Sequence, residues 1–403
     1  MRTAKLKDIT LTITDGKHGD CKNHDGSGYY FISCKDVYDE TIHYENARQI
    51  TEDDFRDADR RTNLAAYDIL ITNSGTIGRM ALVKDIPETR KTTFQKSVAI
   101  VRADTSQVVP NYLYYLLKSK VHDFINSSNG SAQKNLLLST MRDFDISFVD
   151  SFETQHRIAS ILSRYDSLIE NYQKQIKLLE EAARRLYKEW FIDLRFPGHE
   201  NTKIVDGLPE GWEKKKAFDF FEMSIGKTPP RTQKQWFTEC NNGIPWVSIS
   251  DMKDAMFIQN TSEELTLEAC EKFNVKIVPK GTILLSFKLT IGRVAFAGAD
   301  VCTNEAIAHF QKEGDEWKAY TLMYLRNYNY DSLGNTSGIS KAVNSTIIKN
   351  MPFVMPCIPI LQEYSQRVLP IIKQIESLQS QLRLLTEARD RLLPKLMSGE
   401  ITV

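Results

Sequence analysis

Two long stretches of the chain carry a heptad pattern of apolar residues. Between positions 155 and 190 there is no Gly or Pro, and apolar residues recur at alternating spacings of four and three. This first seam consists of Ile158, Leu162, Tyr165, Ile169, Tyr172, Ile176, Leu179, Ala183, Leu186 and Trp190. Such a spacing is typical of a helix that packs along another helix. The pattern therefore predicts one continuous helix, about 55 Å long at 1.5 Å per residue.

A second seam lies near the C-terminal end of the chain. Its apolar members are Leu361, Tyr364, Val368, Ile371, Ile375, Leu378, Leu382, Leu385, Leu392 and Leu396. Arg389 interrupts the apolar pattern, and Pro370 and Pro394 are expected to bend or fray this helix. One seam alone would fit a core helix or a homodimer zipper. Two seams of similar length can instead satisfy each other within one chain.

The segments that precede the two seams are similar to each other. The tetrapeptide TIGR occurs at 76–79 and again at 290–293, each time after a short apolar run that predicts a strand. In addition, GYYFISCKDV (28–37) aligns with GIPWVSISDM (243–252), and later matches keep the same order. A period near half the chain length indicates two copies of one domain.

These patterns predict an α+β fold of two similar domains, because short β-branched runs dominate each copy and one short helix follows them. If a pseudo-twofold axis relates the copies, the two long helices are antiparallel and form an intramolecular coiled coil that separates the domains. The predicted boundaries are 1–152 for the first domain, 153–194 for the first long helix, 195–357 for the second domain with a linker at 195–210, and 358–403 for the second long helix.

Composition narrows the class of protein. The chain has 403 residues, of which 52 are Lys or Arg and 52 are Asp or Glu, so any binding of nucleic acid must use local patches. Six scattered cysteines do not form a disulfide framework, which favours a reduced compartment. No apolar run approaches the roughly 18 residues that a membrane span requires, and the N-terminus has no signal core. We expect a cytoplasmic protein without a membrane partner.

Catalytic and cofactor motifs are incomplete. MSIGKTPP is similar to the end of a phosphate loop, but Phe221 stands where that motif needs Gly. His18, Cys21 and His24 have spacings that could ligate a metal, but a fourth ligand is not evident. No nucleophile stands beside a base. We expect a chain that is not an enzyme and binds neither cofactor nor metal; an enzyme built on this His and Cys cluster is the alternative.

Basic residues concentrate beside both TIGR motifs. Segments 84–102 and 271–293 each carry five Lys or Arg residues and few acidic ones. In each motif the Gly allows close backbone approach, the Thr can hydrogen-bond, and the Arg can meet a phosphate or a guanine edge. The alternative for each loop is an ordinary solvated turn.

Four further motifs carry a family resemblance. They are LPEGWE (208–213), IGKTPPR (225–231), LYKEWFIDLRFPG (186–198) and LLPKLMSGEI (392–401). With the two copies and the two seams, they make the whole chain resemble the specificity (S) subunit of type I restriction-modification systems. The first copy departs from this pattern, because it lacks the LPxGW opening and has DGKHGDC in place of IGKTPPR.

The resemblance implies two target-recognition domains that each read one half of a split sequence in double-stranded DNA. It also implies two methyltransferase (M) subunits that methylate adenine and restriction/translocase (R) subunits that cut unmodified DNA. S-adenosylmethionine, ATP and Mg are then expected in those partners and not in this chain. A non-enzymatic coiled-coil scaffold for protein interactions is the alternative.

The predicted DNA-binding residues combine the loops with the resemblance. They are Ser74, Gly75, Thr76, Arg79, Lys91, Lys96, Lys134, Lys227, Arg231, Lys288, Thr290, Arg293 and Lys341. Which bases they read does not follow from the sequence, because such loops follow no one-residue, one-base code.

Overall fold

The structure is a computed structural model that describes residues 1–127, 135–238, 242–253, 255–334 and 343–403. The chain divides into two compact units. Unit 1 contains Met1–Ile169 and Leu385–Val403, and unit 2 contains Glu170–Leu384. Both units mix helices and strands, as the sequence predicted.

The elements that lie in unit 1, together with the long helix that continues into unit 2, are as follows. The strands are β1 (Arg2–Lys5), β2 (Thr10–Asp15), β3 (Tyr30–Ile32), β4 (Val37–Tyr38), β5 (Thr41–Ile42), β6 (Arg48–Gln49), β7 (Ile69–Thr72), β8 (Met80–Leu82), β9 (Thr92–Phe94), β10 (Val98–Ala103) and β11 (Asp145–Phe148). The helices are α1 (Glu52–Thr62), α2 (Pro110–Ser119), α3 (Val121–Asn126), α4 (Leu138–Arg142) and α5 (Phe152–Tyr187), and short 3-10 turns span Leu6–Ile9, Cys34–Asp36 and Pro87–Lys91.

The main sheet of unit 1 is antiparallel, in the order β2-β10-β7-β8. β10 and β7 are its inner strands, and their apolar sequences VAIVRA and ILIT are almost entirely buried. A run without polar alternation is what a strand covered on both faces requires. A second sheet pairs β3 with β9 in parallel, and β1 pairs with β11.

The remaining elements belong to unit 2, except that the last helix continues into unit 1. The strands are β12 (Ile204–Val205), β13 (Leu208–Pro209), β14 (Glu213–Lys216), β15 (Glu222–Ile225), β16 (Phe237–Thr238), β17 (Ile244–Val247), β18 (Phe257–Ile258), β19 (Glu263–Leu265), β20 (Ile283–Ser286), β21 (Val294–Ala297), β22 (Cys302–Thr303), β23 (Ile307–Gln311) and β24 (Pro352–Met355). The helices are α6 (Ala217–Phe220), α7 (Leu267–Lys272), α8 (Lys318–Asn327), α9 (Ser345–Lys349) and α10 (Ile358–Ser398). A π-helical turn spans Lys188–Ile192, and 3-10 turns span His199–Asn201, Lys234–Trp236, Ser250–Met252 and Tyr330–Gly334.

Unit 2 repeats the internal plan of unit 1. Its main sheet has the order β15-β23-β20-β21-β18, in which the first four strands correspond to β2-β10-β7-β8. β17 and β22 pair in parallel as β3 and β9 do, and β14 pairs with β24 as β1 does with β11. The added strand β18 pairs with β21 in parallel. The predicted duplication is therefore a duplication of topology as well as of sequence.

Both seams fold as long helices. The first is α5, followed directly by the π-helical turn, and the second is α10, which continues as α-helix through Pro370 and Pro394. Within unit 1, Ile158 and Leu162 share a core cluster with Leu393 and Leu396. The buried residue is Leu393, not the predicted Leu392. A straight helix with 3.6 residues per turn drifts away from a strict heptad seam, which accounts for such one-residue shifts.

Within unit 2 the long helices contribute to a different core cluster. Tyr187 of α5 is packed there with Leu361, Tyr364 and Val368 of α10, and aromatic rings crowd around it. Ring centroids of Phe191 and Tyr364, for example, lie 4.8 Å apart in an edge-to-face arrangement. In this unit the C-terminal part of α5 therefore packs with the N-terminal part of α10.

The polar residue that interrupts the second seam lies in unit 1 and is buried. Only 6% of the Arg389 side chain is exposed, and its guanidinium donates to Glu40 (2.8 Å) and to Asp166 of α5 (2.7 Å). Tyr115 of α2 also hydrogen-bonds to Asp166. Burial opposes the charge, but the two carboxylates hold the pKa of Arg389 above its usual value. Arg389, which interrupts the seam, is therefore a buried paired charge that connects α10 with α5 and with the turn between β4 and β5 that carries Glu40.

Candidate nucleic-acid interface

The first TIGR motif forms the loop between β7 and β8. Backbone hydrogen bonds close its base, from Thr72 N to the Arg79 carbonyl (2.9 Å) and from Gly78 N to the Thr72 carbonyl (2.9 Å). The buried Thr72 hydroxyl accepts from Arg79 N at 2.9 Å and donates to the Thr76 carbonyl. Gly78 has φ +87°, a conformation that favours glycine. The motif therefore fixes a rigid hairpin loop.

The second TIGR motif, between β20 and β21, is built in the same way. Ser286 N donates to the Arg293 carbonyl (2.9 Å), and Gly292 N donates to the Ser286 carbonyl (3.0 Å). The buried Ser286 hydroxyl accepts from Arg293 N (3.1 Å) and donates to the Thr290 carbonyl (2.6 Å). The repeated tetrapeptide thus forms the base of each hairpin loop. A ligand of these loops must be contacted by the side chains that surround this base.

The two units contain a second pair of equivalent loops, of which the sequence predicted only the one in unit 2. Gly226 N donates to the Ile307 carbonyl (3.1 Å), and Lys227 N donates to the Thr303 carbonyl (2.8 Å). A Cβ on Gly226 would lie 2.0 Å from Thr303 Oγ1, so no larger residue fits without movement. This loop belongs to the predicted IGKTPPR motif.

DGKHGDC of the first copy forms the same structure. Gly16 N donates to the Val98 carbonyl (3.1 Å), Lys17 N donates to the Phe94 carbonyl (2.8 Å), and a Cβ on Gly16 would lie 1.9 Å from that Phe94 oxygen. Lys17 is therefore the counterpart of Lys227, and the sequence-based list missed it. The shared Gly-Lys dipeptide was the signal that could have found it.

A Ser-x-x-Asp turn completes the equivalence. In unit 1 the Asp36 carboxylate accepts from Ser33 N (2.8 Å) and from the Ser33 hydroxyl (2.9 Å). In unit 2 the Asp251 carboxylate accepts from Ser248 N (2.8 Å) and from its hydroxyl. These turns follow β3 and β17 and hold the start of the next segment in place.

In unit 1 these loops meet at one end of the sheets. Lys96 N donates to the Lys17 carbonyl (3.2 Å), Cys34 N donates to the Ser97 hydroxyl (3.3 Å), and Asn73 N donates to the Ser97 carbonyl (3.0 Å). We call residues 16–18, 33–36, 73–79 and 95–97 loop edge 1. Four segments that are distant in sequence thus form one surface.

Unit 2 contains the equivalent surface. Asn304 N donates to the Val247 carbonyl (3.0 Å), and Phe287 N donates to the Ala306 carbonyl (2.9 Å). The Arg293 guanidinium donates to the Ile249 carbonyl (2.6 Å). We call residues 226–231, 248–251, 286–293 and 303–306 loop edge 2.

Loop edge 1 gathers most of the residues predicted for the first copy. The predicted residues that lie on this edge are Ser74, Gly75, Thr76, Arg79 and Lys96. All of them except the half-buried Ser74 are exposed, and Ser74 forms a β-bridge with Asn135. The cations and hydroxyls of this edge face solvent and can contact a polar ligand.

Two lysines of unit 1 stand apart from this group. Lys91 ends a 3-10 turn at the opposite end of β9 from Lys96. Its ammonium nitrogen lies 5.6 Å from the centroid of the Tyr29 ring. Lys17 lies on the edge, but its ammonium bonds Asp57 at 2.9 Å, and this hydrogen bond raises the pKa of Lys17. Lys17 therefore carries a charge that Asp57 partly neutralises.

On loop edge 2 the lysines are exposed, whereas the arginines are engaged in hydrogen bonds. Lys227, Lys288 and Thr290 are exposed. Arg231 donates to both oxygens of Glu263 at 2.8 Å, and its guanidinium stacks 4.5 Å from the Trp246 ring. That pairing was not foreseen, and like the Arg293 bond to Ile249 it occupies part of the donor capacity of an arginine. The exposed cations of this edge that form no salt bridge with an acidic residue among the described residues are therefore its lysines, Lys227 and Lys288.

Three predictions remain to be placed. Lys134 and Lys341 lie outside the described residues. His18 of the possible metal cluster lies 3.0 Å from Asp15, and Cys21 is buried. Across the ranges that the structure describes, no group of three or more His, Cys, Asp or Glu residues could hold a metal ion.

A family model covers almost the whole chain. The model for the type I restriction modification DNA specificity domain matches residues 3–181 and 209–386. The chain belongs to this family. The two matches coincide with the two sequence copies, and the resemblance drawn from the motifs is confirmed. This specificity subunit has a DNA sequence-specificity role and is not the catalytic subunit of its system.

Curated relatives match most of the chain. The chain is 30% identical, over 398 residues, to the type I restriction enzyme MjaIX specificity subunit of Methanocaldococcus jannaschii, covering 95% of this chain and 89% of the relative. It is 21% identical to the HindI specificity subunit of Haemophilus influenzae, covering 75% and 80%. The crystal structure of a type I restriction-modification S subunit from M. genitalium has the same fold, with a TM-score of 0.62, 16% identity, and coverage of 98% of this chain and 96% of that one.

Proposed function

We propose that this specificity subunit reads a bipartite target in double-stranded DNA, with loop edge 1 on one half-site and loop edge 2 on the other. The observation that carries the proposal is the construction of the same four-loop surface twice, in a chain of the specificity family. Each surface presents hydroxyls and cations on hydrogen-bonded loop bases. Such groups position a protein on phosphates and read base edges.

The hairpin loops suit this role because a two-stranded ribbon fits the major groove of DNA. Arg79 and Lys96 supply cations at loop edge 1, and Lys227 and Lys288 supply them at loop edge 2. Since the chain as a whole is neutral, such local clusters must carry the electrostatic part of binding.

We further propose that α5 and α10 form an antiparallel intramolecular coiled coil that sets the distance between the half-sites. Two observations support it. In unit 1 the first part of α5 packs with the last part of α10, and in unit 2 the last part of α5 packs with the first part of α10. The recognition domains then comprise residues 1–152 and 195–357, with the long helices at 153–194 and 358–403.

The proposal includes the partners that the family requires for catalysis. Two M subunits methylate adenine within the sequence that this subunit selects, and R subunits restrict unmodified DNA. S-adenosylmethionine, ATP and Mg bind to those partners. We also propose that the complex is cytoplasmic. Among the described residues no helix is long and apolar enough to span a membrane.

The test uses the chain assembled with its own M subunits. Arg79→Ala with Lys96→Ala, and separately Lys227→Ala with Lys288→Ala, should slow adenine methylation of the target. Each lost phosphate contact should also lower the slope of log affinity against log salt by about 1. The measurements are sequencing of methylated adenines and titration of a labelled duplex.

Arg90→Ala is the matched control, because it removes an exposed cation from the same basic segment at the opposite end of β9 from Lys96. It should leave methylation and the salt slope unchanged. A protein-interaction scaffold with incidental basic loops predicts the opposite pattern, in which the double substitutions methylate at the wild-type rate. Circular dichroism verifies that every variant is folded.

A further inference from the structure

The tip of the loop between β20 and β21 carries a leucine that faces water completely. Leu289 is 99% exposed, the largest exposed fraction among the large apolar residues described. Its φ is +59°, in the left-handed region that L-residues other than Asn and Asp rarely adopt. An aliphatic side chain gains nothing from folding in such a place, since it buries no surface.

The equivalent loop in unit 1 shows that the fold does not need this leucine. Gly75 occupies the corresponding position, 214 residues earlier, with φ +76°. Glycine adopts that conformation without strain. The same backbone therefore forms in one copy with the residue that suits it and in the other with a strained, fully exposed Leu289. Strain of this kind concentrates at functional sites.

The loop holds Leu289 on a firm base between polar neighbours. Lys288 and Thr290 flank it and are exposed, whereas Phe287 just before them is fully buried. The Ser286 hydroxyl bonds the Thr290 carbonyl at 2.6 Å and closes the loop below the tip. The tip thus presents one aliphatic group between a cation and a hydroxyl.

We propose that Leu289 is a specificity-determining residue that packs against the C5 methyl group of a thymine in the major groove. The inference rests on the proposed function. The thymine methyl is the apolar group that base pairs display in the major groove, and aliphatic contact with it is a known form of base reading. Lys288 then meets the phosphate backbone and Thr290 a neighbouring base edge. Gly75 makes no such contact, so the two half-sites differ in this respect.

The first test removes the side chain. Leu289→Gly should weaken specific binding by the complex with its M subunits about tenfold, the loss expected for a buried aliphatic group. Leu289→Asn should do the same, because Asn tolerates the left-handed conformation without restoring apolar contact. Both variants should unfold at or above the wild-type temperature. The salt slope should not change, since no charge is lost.

The second test removes the methyl group from the DNA. Sequencing of methylated adenines locates the half-sites, and each thymine of the second half-site is then replaced by deoxyuridine in turn. Wild-type complex should lose about fourfold in affinity at one position, as expected for one apolar carbon. Leu289→Gly should be indifferent to the methyl group at that position. Such coupling identifies the pair in contact.

Phe218→Ala is the matched control. It removes an exposed aromatic residue of the same unit at the opposite end of β15 from loop edge 2, and it should bind every duplex as the wild type does. Wild-type affinity in Leu289→Gly, or an unchanged response to deoxyuridine, would overturn the inference. So would a loss of affinity without coupling but with unstacking of a neighbouring 2-aminopurine, which would indicate an apolar wedge between base pairs. If the wild-type complex shows no preference for its methylated sequence, the proposed function itself fails.

Discussion

His309 is a single residue that ties loop edge 2 to the sheet behind it. It is fully buried in β23, with Nδ1 2.8 Å from the Ser224 hydroxyl and Nε2 2.8 Å from the Thr303 hydroxyl. The Thr303 carbonyl in turn accepts from Lys227 N. The aligned residue of the first copy is Ile100, so this polar link belongs to one unit only. Through Thr303, His309 stabilises the Gly-Lys loop of unit 2.

The same residue makes the stability of unit 2 depend on pH. Burial, with a smaller effect of Lys276, lowers the pKa of His309 from 6.5 to about 4. The folded chain therefore holds a neutral imidazole, whereas the unfolded chain takes up a proton as pH falls through its ordinary pKa. Stability is complete above that pKa and is lost as pH falls toward 4. We expect a loss of about 2 kcal/mol by pH 5 from this group.

Urea unfolding of the wild type and of His309→Gln between pH 7.5 and 5 measures this effect. The glutamine amide can bond both hydroxyls but does not titrate, so the variant should show a flatter pH profile. Carboxylates that titrate elsewhere contribute equally to both proteins. Parallel profiles would show that His309 is not buried as a neutral group.

At the scale of elements, each Gly-Lys loop depends on a close contact with a neighbouring strand, β9 in unit 1 and β22 in unit 2. Gly226→Ala would place a Cβ 2.0 Å from Thr303 Oγ1 and 2.2 Å from the Asn304 carbonyl oxygen. The loop and β22 must then separate, at a cost of about 2 to 3 kcal/mol. We expect that loss in urea unfolding, together with slower methylation by the assembled complex.

Gly399→Ala is the comparison, because its Cβ would meet nothing within 4 Å and only the positive φ resists the change. Its cost should be about 1 kcal/mol. Equal losses for the two variants would mean that the close approach at Gly226 is not rigid.

Elements that depend on residues close together in the sequence were predicted, whereas contacts between residues far apart in the sequence were not. The heptad seams are local and predicted both long helices, although α5 changes to a π-helical turn at Lys188. The TIGR repeat predicted two equivalent loops, because the hydrogen bonds of each loop base lie within a few residues. Arg389 was visible as an interruption, but its partners Glu40 and Asp166 are 349 and 223 residues away.

The candidate site was harder to predict for the same reason. Arg231 was assigned to DNA by its motif, but Glu263 and Trp246 reach it only through the tertiary fold. Lys17 was missed because the two Gly-Lys loops share two letters and otherwise differ. No sequence signal distinguished Leu289 as exposed, since Leu is more often buried than not.

For the whole molecule, the proposed coiled coil makes the spacing of the DNA target a property of helix length. Insertion of one heptad into both α5 and α10 preserves the seam and lengthens it by about 10.5 Å. The unread spacer between the half-sites should grow by about three base pairs, at 3.4 Å per pair. Sequencing of methylated adenines in cells that carry the altered system measures the spacer directly.

A heptad inserted into α5 alone is the control, because it displaces one seam against the other and should destabilise the protein. An unchanged spacer in the folded double insertion would separate target spacing from these helices. Both half-site sequences should be unaffected by the double insertion, since neither loop edge is altered.

The construction of the hairpin bases has a consequence for how new targets can arise. Thr72 and Ser286 close each loop through backbone atoms of the TIGR segment, so the base of the loop forms without contacts from the tip side chains. Mutation can therefore exchange the letters at a tip, one copy at a time, without disturbing the rest of the chain. If each loop edge reads one half-site as proposed, a single subunit can acquire a new half-site while it keeps the other, because only tip residues change and the rest of the fold is retained.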